Sequence, residues 1–290
     1  MLSNIIVATD GSEASERMIE CVHGLARVGS QQATLIHVFN VRDVGGLYGS
    51  LREFMLPKLE KQASVLREAG FKVDVQTPLG IPFYEINRVA RERSAALVVV
   101  GSLGASLVGD VLLGSTAHSV LQNAQLPTLL IRLQIIQENG GQRCQAACQD
   151  FFQNILFPTD FSDNAEHAFL YLEHVVRETK GEVTLLHVQD QAKIERHLKH
   201  RLEEFNKIDT ERLEGMKLRL ERCGAASVEV EVPYGSPTEI ILERARGTRF
   251  SLILMGSQGR GFIREVFLGS VANNIARLAP LPVLFVPAVR

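Results

Sequence analysis

The chain of 290 residues contains no tryptophan, four cysteines and only 6% aromatic residues. Four cysteines are too few for a disulfide scaffold at this length, so the sequence predicts a reducing compartment, the cytoplasm. Long hydrophobic runs are also missing. No stretch approaches the roughly 18 apolar residues that a membrane span needs. Met1-Leu2-Ser3-Asn4 runs straight into a strand-like segment, without the basic and apolar regions of a secretory signal. Charge of one sign is lacking too: 31 basic side chains face 33 acidic ones, for a net charge of −2. Neither half departs from this balance, with 13 against 14 in residues 1–150 and 18 against 19 in 151–290. A nucleic-acid surface built on bulk basicity is therefore excluded. An apolar fraction of 46% excludes disorder.

What the chain does have is an internal repeat. Ile5-Ile6-Val7-Ala8-Thr9-Asp10-Gly11-Ser12 aligns with Ile155-Leu156-Phe157-Pro158-Thr159-Asp160-Phe161-Ser162 at an offset of 150. At the same offset Thr34-Leu35-Ile36-His37-Val38 meets Thr184-Leu185-Leu186-His187-Val188. Further on the offset is 155, through Gly101-Ser102-Leu103-Gly104 with Gly256-Ser257-Gln258-Gly259, and Leu113-Gly114-Ser115 with Leu268-Gly269-Ser270. Ordered matches across the whole length imply two homologous domains, 1–133 and 151–290. The Gln- and Gly-rich segment 134–150 reads as a linker. Its Cys144 and Cys148 form a C-x3-C pair, close enough for a redox or metal site, although zinc usually needs further ligands.

Each half alternates short apolar runs with helical periodicity. In the first, strands are expected at 4–9, 33–39, 71–77, 96–100 and 128–133. Helices are expected at 12–28 (capped by Ser12), 51–69, 83–93 and 114–123. The second half repeats this order, with a longer, heavily charged second helix over 191–222 that reads as a solvated face. Continuous apolar strands alternating with helices predict an α/β fold: a parallel sheet covered on both faces.

The motif that carries chemistry is Gly101-x2-Gly104-x9-Gly114-Ser115, which recurs as Gly256-x2-Gly259-x9-Gly269-Ser270. In both copies the first glycine follows the fourth strand, and the Gly-Ser pair opens a helix. A phosphate needs backbone N–H donors within reach, where a Cβ would obstruct it. A helix start supplies unpaired donors and a positive dipole end. Glycines that merely make turns are the alternative, which the recurrence at identical spacing disfavours. Asp10 and Asp160 end the first strand of each copy, at the sheet edge where ligands of open α/β folds bind. An acid there accepts from ribose hydroxyls or meets a phosphate-bound Mg2+ through water; capping of the next helix is its ordinary alternative.

These motifs resemble those of the universal stress protein family, and the resemblance covers both halves. G-x2-G-x9-G-[ST] matches that family's ATP-binding signature, "VATDGSE" and "FPTDFSD" its opening strand, and "LIHV" and "LLHV" its second strand. The resemblance implies two tandem open parallel-sheet domains, Rossmann-like with strand order 3-2-1-4-5, packed as a pseudo-dimer through their fifth strands. A homodimer of the whole chain stays open. It also implies an adenine nucleotide, ATP or AMP with Mg2+ as an optional companion, and a regulatory role in stress response in which ATP hydrolysis is at most slow. Adenine would meet Val38 or Val188, and ribose Asp10 or Asp160. Phosphates would meet Gly101, Gly104, Gly114 and Ser115, or Gly256, Gly259, Gly269 and Ser270. The flanking strand ends Thr9, Val100, Thr159 and Met255 complete the set.

The copies differ. Arg260 follows Gly259 where the first copy has Ala105, and a cation there favours anion binding in the second. Phe161 stands where the first copy has Gly11. Asp110 and Glu265 occupy matching loop positions and read as solvated. Gly24 to Ser30 has P-loop glycine spacing without its lysine. His37 and His187, inside apolar strands, read as hydrogen-bonded core histidines. No positioned nucleophile or general base is evident.

Overall fold

The structure, a computed structural model, describes residues 3–26, 28–103, 113–138, 141–146, 150–195, 199–247, 249–259 and 268–288. For 134–138 and 141–146 only the backbone is described. The chain divides into two compact units, Met1–Gln149 and Asp150–Arg290.

In the first unit the apolar runs form strands β1 (Asn4–Ala8), β2 (Gln32–Ile36), β3 (Lys72–Gln76), β4 (Leu97–Gly101) and β5 (Thr128–Ile131). All pair in parallel, in the spatial order β3–β2–β1–β4–β5. Ile5, Ile6 and Val7 of the central strand are fully buried, as a sheet covered on both faces requires. The covering helices are α1 (Glu13–Cys21), α2 (Tyr48–Glu68), α3 (Pro82–Glu92) and α4 (Ser115–Gln122). Ser12 caps α1 by accepting from Ser15 N–H, with Glu13 and Glu16 in the first turn complementing the helix dipole. The helix expected over 12–28 ends at Cys21 and resumes as the short turn His23–Ala26. α2 starts three residues before the expected position and carries Pro57 within it.

The stretch read as a linker holds an antiparallel hairpin, β6 (Leu133–Glu138) with β7 (Gly141–Ala146). Asn139-Gly140 lies between the two strands in the sequence. That pair is a strong hairpin signal, which the reading of glycines as linker composition passed over. β7 packs on α1. Cys21, on the last turn of α1, is disulfide-bonded, where the low cysteine count predicts a reducing compartment. Cys223 is free and buried. Cys148 and the Cys144 side chain lie outside the described residues, as do Asp110 and Glu265.

The second unit repeats the plan with strands β8 (Asn154–Pro158), β9 (Glu182–Leu186), β10 (Val228–Glu231), β11 (Leu252–Gly256) and β12 (Val283–Val286). They pair in parallel in the order β10–β9–β8–β11–β12. Its helices are α5 (Asp163–Thr179), α6 (Leu202–Cys223), α7 (Pro237–Ala245) and α8 (Ser270–Leu278). Ser162 caps α5 through Ala165 N–H. The charged helix expected over 191–222 is divided: a turn at Gln191–Ile194 precedes α6, which buries Leu213, Met216, Leu220 and Cys223. Among the described residues no helix is long and apolar enough to cross a membrane.

Candidate functional site

In the second unit β8 and β11 are neighbours, with Ile155 beside Leu252 and Leu156 beside Ile253. The residues that leave these two strands therefore emerge together. Thr159, Asp160, Val188, Met255, Gly256, Gly259, Gly269 and Ser270 all line one cavity of 640 Å³. That volume lies within the roughly 300–1,000 Å³ usual for small-molecule sites. Arg260 lies outside the described residues.

The turn after β8 orders the carboxylate. Phe161 N–H donates to Thr159 Oγ1 at 3.1 Å, and Ser162 N–H donates to Asp160 Oδ1 at 3.1 Å. The other oxygen of Asp160 faces the glycine loop, since a Cβ on Gly259 would stand 2.5 Å from Asp160 Oδ2. Gly259 thus lets the loop close on the carboxylate. At Gly256 the missing side chain makes room for Asn164, whose Nδ2 would be 2.8 Å from a Cβ there and donates to Gln258 O at 3.0 Å.

The start of α8 adjoins the glycine loop, since a Cβ on Gly269 would stand 3.4 Å from Gln258 Cα and 3.7 Å from Gly259 N. Gly269 N–H is taken by Ser257 O at 2.8 Å, so this glycine's own donor is committed inside the protein. Asn273 N–H closes the first helical turn on Gly269 O at 2.8 Å. The N–H groups of Ser270, Val271 and Ala272 are then left without helical acceptors, and these three residues line the cavity. Donors without helical acceptors at a dipole's positive end, beside a cavity, suit an anion.

His187 sits at the end of β9, buried, with Nδ1 2.8 Å from Thr159 O. A carbonyl only accepts, so Nδ1 carries the hydrogen and Nε2 faces Asp209 Oδ2 at 3.5 Å. Gln189 Nε2 donates to the same carboxylate oxygen at 3.2 Å. Asp209, Arg212, Phe205 and Ile208 of α6 line the cavity beside Lys193 and Asp190. The solvated reading of this helix missed them. The signal available in sequence was the amphipathic spacing of Leu213, Met216 and Leu220, which turns the preceding turn of the helix toward the strand ends.

In the first unit β1 and β4 are likewise neighbours, which places Thr9 and Asp10 at the same sheet edge as Val100 and Gly101. Asp10 Oδ1 accepts from Ser12 N–H (3.0 Å), Ser12 Oγ–H (2.5 Å) and Ser15 Oγ–H (2.6 Å), so this oxygen serves the helix cap. Thr9 Oγ1–H donates to the buried Gln62 Oε1 at 2.8 Å. Gly11 has φ +72°, and a Cβ on it would meet Met55 Sδ at 2.6 Å. A Cβ on Gly101 would meet Leu133 Cδ1 at 2.9 Å, so packing alone accounts for that glycine. Ser115 opens α4, with Gly114 N–H held by Ser102 O at 2.8 Å. Val38 lies between β2 and the two-residue strand Phe39–Asn40, and Gly104 lies outside the described residues. His37 Nδ1 is 3.0 Å from Thr9 O, and burial pushes its pKa below the ordinary histidine value.

Comparison with known proteins bears on both units. The family model described as the universal stress protein family matches residues 1–132 and again 151–287. A universal stress protein of Mycolicibacterium smegmatis is 27% identical over 297 residues, spanning 97% of this chain and 96% of its own. Universal stress protein MJ0577 of Methanocaldococcus jannaschii is 33% identical over 154 residues, 47% of this chain and 94% of its own length. The crystal structure of a universal stress protein from Archaeoglobus fulgidus superposes with a TM-score of 0.76 at 25% identity, over 99% of this chain and 98% of that one.

Proposed function

This chain belongs to the universal stress protein family, with two copies of the family domain in tandem, and from that premise we propose that it is a regulatory protein whose second unit binds an adenine nucleotide, ATP or AMP. The observation that carries the reading is that the strand-end Asp160, Gly259 of the glycine loop and the first residues of α8 line one cavity. These groups match the parts of a nucleotide. Asp160 is placed to accept from ribose hydroxyls. The α8 donors stabilise negative charge on phosphate oxygens, and the absent Cβ of Gly259 lets main chain approach them. Val188 lines the same space, and its backbone is the proposed partner of the base.

Occupancy regulates only through differential affinity for two states of the protein. The first unit shares the signature. The cavity that gathers Asp160, Gly259 and the start of α8 favours the second unit as the principal site. The test is mass spectrometry of small molecules that co-purify with the intact chain, followed by titration calorimetry with ATP. An adenine nucleotide is expected. Gly259→Val, whose side chain would collide with Asp160, is expected to remove binding at one site. Unchanged affinity and stoichiometry in that variant would reject the assignment.

A further inference from the structure

The two copies diverge most at the turn after the first strand and at the helix that faces it. Phe161 occupies the turn position with φ +57°, a left-handed conformation unfavourable for a non-glycine residue. The first copy places Gly11 there, at φ +72°. A bulky residue kept in an unfavourable backbone conformation calls for a compensating contact. Two described side chains stack on the Phe161 ring. It lies on His187 with ring centroids 4.5 Å apart at 34°, and the Arg212 guanidinium sits over it at 4.4 Å.

Arg212 lines the cavity, and among the described residues no carboxylate forms an ion pair with it. Asp209, one turn before it on the same helix, is engaged by His187 and Gln189. The first copy supplies the contrast. The buried positions Leu59, Gln62 and Leu66 of α2 match Leu213, Met216 and Leu220 of α6 at an offset of 154. At that offset Lys58 corresponds to Arg212, and Met55 to Asp209. Lys58 Nζ lies 4.9 Å over the ring of Phe54, on its own helix, and Met55 packs on the glycine turn. Only the second copy carries a ring in the turn, and only there is the helix cation held on it.

Resting on the nucleotide reading above, we infer that Arg212, seated on the Phe161 ring, is the charge-reading residue of the second unit's cavity and makes this site select phosphorylated nucleosides over bare nucleosides. A planar guanidinium stacked on one face keeps its edge donors for a phosphate's oxygens, a geometry that lysine cannot reproduce. Phe161 acts as a positioning residue: it restricts Arg212 before the ligand arrives and so lowers the ordering cost of the contact.

The test is titration calorimetry on the intact chain with ATP, AMP and adenosine. Arg212→Gln is expected to weaken ATP and AMP at one class of site by about tenfold to a hundredfold, as expected for a lost charge-assisted hydrogen bond. Adenosine affinity should change less than about twofold, well below the loss of one such bond. Arg212→Lys should recover part of the loss. Phe161→Gly, which installs the first copy's residue, should weaken ATP while leaving the far-ultraviolet circular dichroism unchanged. Equal losses for adenosine and ATP, or no loss for either, would overturn the assignment to Arg212. A parent chain that binds adenosine as tightly as ATP would overturn the phosphate selection while leaving nucleoside binding intact. A parent chain that binds none of the three would overturn the nucleotide reading itself.

Discussion

At the residue scale, one buried histidine in each copy ties the second strand to the end of the first. His37 and His187 each place Nδ1 on a threonine carbonyl, at 3.0 and 2.8 Å. The reading of both as hydrogen-bonded core histidines follows from their apolar strands. The neighbours that distinguish them do not. Burial lowers the pKa of His37 from its ordinary value of 6.5, an effect larger than the opposing pull of the Thr9 hydrogen bond and the Asp10 charge. The folded state therefore binds this proton less readily than the unfolded state. The stability tied to neutral His37 is complete above about pH 6.5 and is lost as pH falls from there toward the folded value. Urea unfolding at pH 7.5 and 5.5 is expected to show lower stability at the acid pH, with a smaller difference in His37→Gln. An unchanged pH dependence in that variant would show that other groups carry it.

At the scale of elements, local chemistry places each helix beside the strand end it serves. Ser12 and Ser162 stand two residues after the strand-end acids and open the helices that follow. Ser162→Ala removes the acceptor for Ala165 N–H and is expected to destabilise the second unit by about 1 kcal/mol, measured by urea denaturation. These caps, the strand order along the chain and the glycine spacing were legible because each is a short-range pattern. The hairpin over 133–146 was obscured because Gln and Gly mark both linkers and turns, and only the pairing register separates the two. The cavity-facing turn of α6 was obscured for a different reason. Its residues 202–212 are dominated by charge, and whether a charged face meets solvent or a cavity depends on what the helix packs against.

At the scale of the whole molecule, two copies of one domain have kept the same framework and diverged at the strand edge. A ligand that binds only the folded state stabilises it by mass action, by about 2.7 kcal/mol at a hundredfold excess over Kd. ATP at that excess is therefore expected to raise the unfolding transition of the second unit. Gly259→Val should remove that rise, and thermal scans of the two proteins with and without ATP make the comparison. A rise that persists in the variant would move the ligand to another part of the chain.

The sequence by itself determined the two domains, their alternating strands and helices, and the residues that leave the carboxyl ends of the sheets, because each is written in periodicity and spacing over a few residues. Only the tertiary structure decided which of those residues have their polar groups already committed. Asp10 is absorbed into a serine cap, Gly101 makes room for Leu133, and Asp209 and Arg212 arrive from a helix some fifty residues beyond Asp160. The physical reason is that hydrogen-bond partners and close packing are settled between elements distant in the chain. No local pattern records them.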